Sequence, residues 1–324
     1  MSAFKELPTS YTASGKPRRA GFELEFSGLS LDAAVKAVQD ILGADPVEAT
    51  AAECTLRAEG LGDFKVEIDW AFLKRVSREY AADEEQYWVE PLNDLASTLV
   101  PIELVAPPIA VQELDVLKEI SDALRAAGAQ GTEESLIAAY GVHINTEIPA
   151  LDADTLGRYI QAFCLLQWWL VDAHDVNPAR KISPYIDLYP QSYVETVLAR
   201  ESMTLDEIFE DYLEHNPTRN RALDLLPILA EIDSERVQRT VDDDRVNARP
   251  AFHYRMPNCH IERDDWDLTA PWDLWLTVER LADRPGDLRT LAKEYLDARR
   301  MLLSVDRSKW VTRMDEWLND HALL

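Results

Sequence analysis

Positive charge is scarce in this chain. Its 33 Lys and Arg residues face 59 Asp and Glu, leaving a net charge of −26 over 324 residues. A phosphate backbone binds through a basic surface, so nucleic acid is excluded as an electrostatic partner. The acid excess reads as solubility, as in a salty cytoplasm, in preference to a specific cationic partner. Cysteine is scarce too: Cys54, Cys164 and Cys259 are widely separated and odd in number, which argues against a disulfide framework. No apolar run reaches the roughly 20 residues of a membrane span. The first stretch, MSAFKELPTSYTASGKPRRAG, lacks the apolar core of a signal peptide. A cytoplasmic protein with no membrane partner is the expectation. Common catalytic motifs are missing as well: there is no glycine-rich phosphate loop, GxGxxG, HExxH or CxxC. Ser183 and Ser192 have no nucleophile context.

What remains is enough for a core, since 47% of the residues are hydrophobic. Residues 1–19 are polar and read as a flexible segment. Alternation predicts strands at about residues 20–27 and in FKVEIDWAF, LVPIELVAPPI, YGVHINTEI and RPAFHYRMPN. The apolar spacing of SLDAAVKAVQDILG and VQELDVLKEISDALRAAG predicts amphipathic helices ending at Gly43 and Gly128. LDADTLGRYIQAFCLLQWWLVDAHD predicts a long, mostly apolar helix with Cys164 and QWW in the core. The acidic runs EYAADEEQYWVEP and VDDDR read as solvated loops. With no repeat and no linker, residues 20–324 read as one α+β domain with helical elaborations at about 151–245 and 270–324.

The polar faces of the predicted strands carry the chemistry. In GFELEF, Glu23 and Glu25 share one face and Phe22, Leu24 and Phe26 the other. Lys65, Glu67 and Asp69 share a face in KVEID, as do Gly141, His143 and Asn145 in GVHIN, and His253 and Arg255 in AFHYRM. Glu103 is the lone charge of PIELV. One such strand is an ordinary half-solvated strand. Five in one sheet would converge into an acidic cleft whose carboxylates need a cation. Carboxylate oxygens suit Mg²⁺, and an added imidazole leaves room for Mn²⁺. Carboxylates, a divalent metal and an arginine are the parts of phosphoryl transfer.

The ordered set GFELEF, KVEID, ELVAPP, GAQGT followed by YGVHIN, and FHYRMPN resembles the amidoligase family, which is similar to the carboxylate–amine ligases glutamine synthetase and glutamate–cysteine ligase. The resemblance covers about residues 20–285. It implies a curved antiparallel sheet, flanked by helices, whose concave face holds ATP and two or three Mg²⁺ ions. ATP would phosphorylate a substrate carboxylate, and an amine would displace the phosphate to leave an amide. By position, Glu23 and Glu25 would serve different ions, with Glu67, Asp69 and Glu103 completing the shells and Glu67 also near the chemistry. His143 would ligate the ion bridging the nucleotide phosphates, beside Asn145 as a nucleotide contact. Arg255 matches the arginine that steadies the transferred phosphoryl group. The family's last strand usually reads E-x-R, whereas this chain has His253-Tyr254-Arg255. Six of the expected ligands are present and one is replaced, with His253 able to ligate the same metals.

The segment HNPTRNRALDLLP reads as a helix N-terminus with Asn216 or Thr218 as its cap. That leaves Arg219 and Arg221 unexplained in a positive first turn, where a bound anion would offset the repulsion. Arg249 is a further candidate for phosphate or substrate carboxylate. His174 and His260 read as solvent-side histidines. The leading expectation is a ligase joining small-molecule or peptide carboxylates to amines. A kinase of the guanidino type, or an inactive module that only binds ligand, are the alternatives. Substrate identity and oligomeric partners are left open.

Overall fold

The computed structural model describes residues 3–69, 101–133, 140–178, 180, 186–302 and 304–324. The acidic run EYAADEEQYWVEP, Ser183 and the Trp70–Phe72 end of the predicted FKVEIDWAF strand lie outside them. In chain order the strands are β1 (Arg19–Phe26), β2 (Pro46–Ala49), β3 (Glu53–Ala58), β4 (Gly62–Ile68), β5 (Ile102–Val105), β6 (Ile109–Ala110), β7 (Val142–Thr146), β8 (Leu223–Asp224) and β9 (His253–Tyr254). They form one sheet in the order β2-β3-β4-β5-β1-β7-β9-β8, with β6 added against the start of β1. Every pairing is antiparallel.

The first strand in sequence is thus central in space. Phe22, Leu24 and Phe26 on β1, Val66 on β4, Ile102 and Leu104 on β5 and Val142 and Ile144 on β7 are all at most 1% exposed. Burial of one such side chain contributes about 1.5–3 kcal/mol, so together they fix which face of the sheet turns inward. Helices cover that face. Helix α1 (Leu31–Leu42) starts at Ser30, whose side chain accepts from the Ala33 amide, and stops at Gly43 in the left-handed conformation. It packs on β3, β4 and α2 (Asp115–Ala127). Helix α3 (Ala153–Ala173), capped by Asp152, runs through the second layer. It packs against α4 (Gln191–Leu198), α7 (Thr269–Ala282), α8 (Pro285–Leu302) and α9 (Arg307–Asp320). Between them come α5 (Leu205–His215) and α6 (Leu226–Gln238). Phe252 and Tyr254 beside β7 pack at a tilt against Trp275 of α7, at 5.4 and 5.2 Å between ring centres. Among the described residues no helix is long and apolar enough to cross a membrane.

Three departures from the sequence reading have local causes. β2 shows no apolar alternation because all four of its residues are exposed. The predicted RPAFHYRMPN strand contracts to His253–Tyr254, since Pro250 and Pro257 have no N–H to give a ladder. Residues 3–18, polar enough to read as flexible, are docked. Phe4 packs edge-on against Phe22 and Trp272, and Trp272 Nε1 donates to the Lys5 carbonyl at 2.8 Å.

The anchor of that segment is Arg18, whose guanidinium is 0% exposed. It donates to both carboxylate oxygens of Glu279 on α7, at 2.9 and 2.8 Å, and to the carbonyls of Thr9 and Glu147. Tyr159 OH and Trp275 Nε1 also donate to Glu279. Removing one partner of a buried pair leaves an uncompensated charge. Glu279→Ala is therefore expected to cost about 3–5 kcal/mol in urea unfolding. The double substitution Arg18→Met with Glu279→Leu should recover most of that loss, and equal costs for single and double variants would contradict the pairing.

Candidate active site

Register brings the polar side chains together. Glu25 lies opposite Glu103, and Glu103 lies opposite Glu67 on its other side. Glu23 lies opposite His143, and His253 opposite Asp224. Residues paired across adjacent strands project from the same face. The alternation read in the sequence therefore becomes one continuous polar surface over β4, β5, β1, β7, β9 and β8.

Its β4–β5–β1 end is acidic. Burial first, then the negative charges of Glu23, Glu25, Asp69 and Glu67, raise the Glu103 carboxyl well above the usual carboxylate range. Lys65 offsets part of this charge, with Nζ 2.7 Å from Oε2 of Glu67 and 2.8 Å from Oε2 of Glu53. Glu25 accepts from the Gly141 amide at 2.7 Å. A Cβ at Gly141 would lie 3.3 Å from Oε2 of Glu25 and only 2.5 Å from a guanidinium nitrogen of Arg180. The glycine is thus required by close approach. Arg180 is buried and donates to the carbonyls of Arg255, Met256 and Pro257 at 2.8, 2.8 and 2.5 Å, tying the exit of β9 to this corner.

The middle of the surface holds imidazoles. Nδ1 of His143 is 2.6 Å from Oε2 of Glu23, and Nδ2 of Asn145 donates to Oε1 at 2.9 Å. Nε2 of His143 faces Oε1 of Glu25 at 3.8 Å. Nε2 of His253 lies 3.5 Å from Nδ1 of His143 and 3.6 Å from Oε2 of Glu23. Burial, reinforced by the Arg255 guanidinium, holds His253 well below the usual imidazole range, so it is uncharged at neutral pH. Burial also opposes charge on Glu23, but its two histidine neighbours hold that carboxyl well below the usual range.

The far end is cationic around one acid. Asp224 is buried, and burial pushes its carboxyl up to about 6 although Arg255, Arg219 and Arg249 all pull the other way. Its Oδ1 accepts from the Leu226 amide, while its Oδ2 has no hydrogen-bond partner. Arg255 NH2 is 3.9 Å from that oxygen and 3.2 Å from Nδ1 of His253, and Arg255 Nε is buried without a partner. Arg249 donates to Oδ1 of Asn145 at 3.1 Å. Half-buried Arg219 makes no hydrogen bond or ion pair among the described residues. Arg221 instead spends both terminal nitrogens on the carbonyls of Leu188 and His215.

The helix N-terminus read in HNPTRNRALDLLP is not there. Asn216 closes α5, β8 intervenes, and α6 starts only at Leu226 with Pro227 in its first turn. Both arginines precede β8. His174 is not a solvent-side residue either, since its Nε2 meets Tyr254 OH at 2.6 Å. Burial, then Arg180, depresses it to about 3. Sequence reasoning missed Asp224 and Arg180. Asp224 sits in a two-residue strand, too short for an alternation signal, and Arg180 belongs to no alternating or amphipathic pattern.

Among the described residues, two side-chain groups on this surface bring ligand atoms within 4.8 Å of one another: Glu23 with His143 and His253, and Glu25 with Glu103 and His143. Both fit a divalent cation in donor type. A third, Glu133 with His260 and Glu262, lies on the loops after α2 and β9, and Glu133 there also pairs with Arg263.

The class defined here is an α+β protein whose antiparallel sheet carries one carboxylate–imidazole–guanidinium surface. The family described as "Putative amidoligase enzyme" matches residues 16–277, and the chain belongs to it. No curated protein and no solved structure matches the chain.

Two outcomes test the site. In metal-free protein Glu103 has a folded-state proton affinity above its unfolded value. Its stabilising contribution is thus full at low pH and is lost as pH rises through the folded value. Glu103→Gln should therefore raise the melting temperature at pH 7 in chelator, and the gain should vanish towards pH 4. Mg²⁺ or Mn²⁺ should raise the melting temperature of the native chain by mass action. Glu23→Gln combined with Glu25→Gln should abolish that rise without loss of helical circular dichroism, and a rise of unchanged size would remove these carboxylates from the metal site.

Proposed function

We propose that the chain is an ATP- and Mg²⁺-dependent carboxylate–amine ligase acting on a small molecule or peptide. One observation carries this reading. A single sheet face presents crowded carboxylates at one end and guanidinium groups at the other, with imidazoles between. Glu25, Glu103, Glu67 and Asp69 would hold divalent cations, with Glu23, His143 and His253 beside them. Such ions neutralise phosphate charge and align the γ-phosphoryl group for transfer.

The γ-phosphoryl group of ATP passes to a substrate carboxylate oxygen, giving an acyl phosphate and ADP. Arg255, directly after β9, would offset with its fixed charge the charge that spreads over the phosphoryl oxygens. Asn145 and Arg249, already hydrogen-bonded to each other, would steady the nucleotide or the substrate anion. The unpaired Arg219 is free to bind the same anion. Arg221 is left out of this assignment because its hydrogen bonds are spent on backbone. The amine then attacks the acyl carbon, the C–N bond forms, the C–O bond to phosphate breaks, and the amine's proton passes to a carboxylate of the acidic end or to phosphate.

The discriminating assay incubates the protein with ATP, Mg²⁺ and pooled carboxylates and amines, with mass spectrometry following the products. A ligase yields ADP, phosphate and a pair joined with loss of water. A kinase yields ADP and a stable phosphorylated product, and a binding module yields no ADP. Arg255→Lys keeps the charge but loses the planar fork. Turnover is expected to fall about a hundredfold or more, with a much smaller change in nucleotide affinity. Full activity in Arg255→Lys would make that residue structural.

A further inference from the structure

A cavity of about 270 Å³ lies between α3, the end of α7 and the docked N-terminal segment. None of its lining residues belongs to the polar face of the sheet. Pro8, Tyr11 and Ala13 form one wall, and Pro149 and Ala150, ahead of α3, form another. Both walls are pinned. The Thr9 carbonyl accepts from NH1 of Arg18 at 2.9 Å, and the Ala13 amide donates to the Pro149 carbonyl at 2.8 Å. The space is therefore preformed, as small-molecule sites usually are.

The buried and the exposed lining residues differ in what they can still bind. Glu279 and Tyr159 are buried, and the Glu279 carboxylate is already taken by Arg18, Tyr159 and Trp275. Arg158 and Asp283 keep free capacity. Arg158 donates from NH1 to the Ala282 carbonyl at 2.7 Å and from Nε to Asp154, an acid whose side chain is 83% exposed. Its NH2 makes no hydrogen bond among the described residues. Asp283 directly follows Ala282 at the end of α7, and its carboxylate has no hydrogen bond or ion pair among the described residues. The two opposite charges thus flank one carbonyl without pairing with each other. An unpaired guanidinium nitrogen near an unpaired carboxylate is complementary to a zwitterion. A ligand carboxylate would take NH2 of Arg158 in a charge-assisted hydrogen bond, and a ligand ammonium would take Asp283. Away from these charges the walls carry Pro8, Pro149 and Tyr11, and Tyr11 is 59% exposed, with ring surface that an apolar group would cover. The volume falls below the roughly 300 Å³ at which drug-sized pockets begin, which suits a ligand of single-residue size.

We propose that this cavity binds a free α-amino acid with an apolar side chain, its carboxylate on Arg158 and its ammonium on Asp283. The site is separate from the ligase reading of the sheet and does not rest on it. Because the N-terminal segment supplies one wall, the bound amino acid also favours the docked state of that segment, which leads through Arg18 into β1.

The test is calorimetric titration of the full-length protein with L-leucine and L-phenylalanine, where one saturable site per chain is expected. N-acetyl-L-leucine lacks the ammonium and L-leucinamide lacks the carboxylate. Each should bind the native chain about fivefold or more weakly than leucine, the effect of losing one partly screened charge contact. Asp283→Asn alters a side chain that holds nothing else in place, so the fold should be kept. It should weaken leucine by about fivefold and leave N-acetyl-L-leucine within about twofold of its native affinity, because the lost contact is the one to the ammonium. Arg255→Lys on the sheet face should leave leucine affinity within about twofold. No saturable binding of either amino acid, or unchanged leucine affinity in Asp283→Asn, overturns the site. Loss of binding in Arg255→Lys with none in Asp283→Asn places the amino acid on the sheet face, which overturns the cavity site and leaves the ligase reading standing. Leucine binding that responds to Asp283→Asn alone, with no ADP released from any substrate pair, keeps the cavity site and overturns the ligase reading.

Discussion

Strand β1 is hydrogen-bonded along both edges, and the rest of the polar face depends on that double pairing. β5 fixes Glu25 against Glu103, and β7 fixes Glu23 against His143. Both registers are locked from the opposite side of the sheet, where Phe22, Leu24 and Phe26 are buried among the helices. Sliding β1 by one residue would turn those three side chains outward and drive both glutamates into the core. The apolar layer therefore positions the charges from the opposite side of the sheet.

That arrangement carries a standing electrostatic cost. Five carboxylates face one another across β4, β5 and β1, and Glu103 bears most of the strain in its raised proton affinity. A fold selected for stability alone would place an amide or a hydroxyl there. The unpartnered Oδ2 of Asp224 and Nε of Arg255 are costs of the same kind at the other end. Polar groups left in such states cluster where a protein binds a charged ligand. The Arg18–Glu279 pair shows the contrast. It is equally buried but fully hydrogen-bonded, and it serves to hold the N-terminal segment against α7.

The ordering of charge along the sheet also gives the face a direction. Passing from β4 towards β9, the side chains change from mainly carboxylate to imidazole and amide and then to the guanidinium groups around Asp224. An anion whose charge is partly neutralised by cations at one end would meet fixed positive charge at the other. A phosphate chain spanning the two ends is complementary to that gradient, and this complementarity supports the proposed nucleotide.

Much of this was legible in the residues. Period-two alternation in GFELEF, KVEID and GVHIN already placed Glu23 with Glu25, Glu67 with Asp69, and His143 with Asn145 on common faces, because side-chain direction in a strand is a local property. Gly43 marked the end of α1 for the same reason. Long-range properties were not legible. The sheet order that seats β1 between β5 and β7 depends on which apolar faces pack together. The docking of residues 3–18 depends on one buried ion pair 261 positions apart. HNPTRNRALDLLP was misread because cap residues look alike whether they close one helix or open the next. Asp224 and Arg180 acquired their places only through tertiary contact. One lies in a strand too short to show a period, and the other reaches Gly141 and the carbonyls of residues 255–257 from a position distant in sequence. Local stereochemistry thus decided which side chains share a face, and burial of the apolar layer decided which of those faces meet.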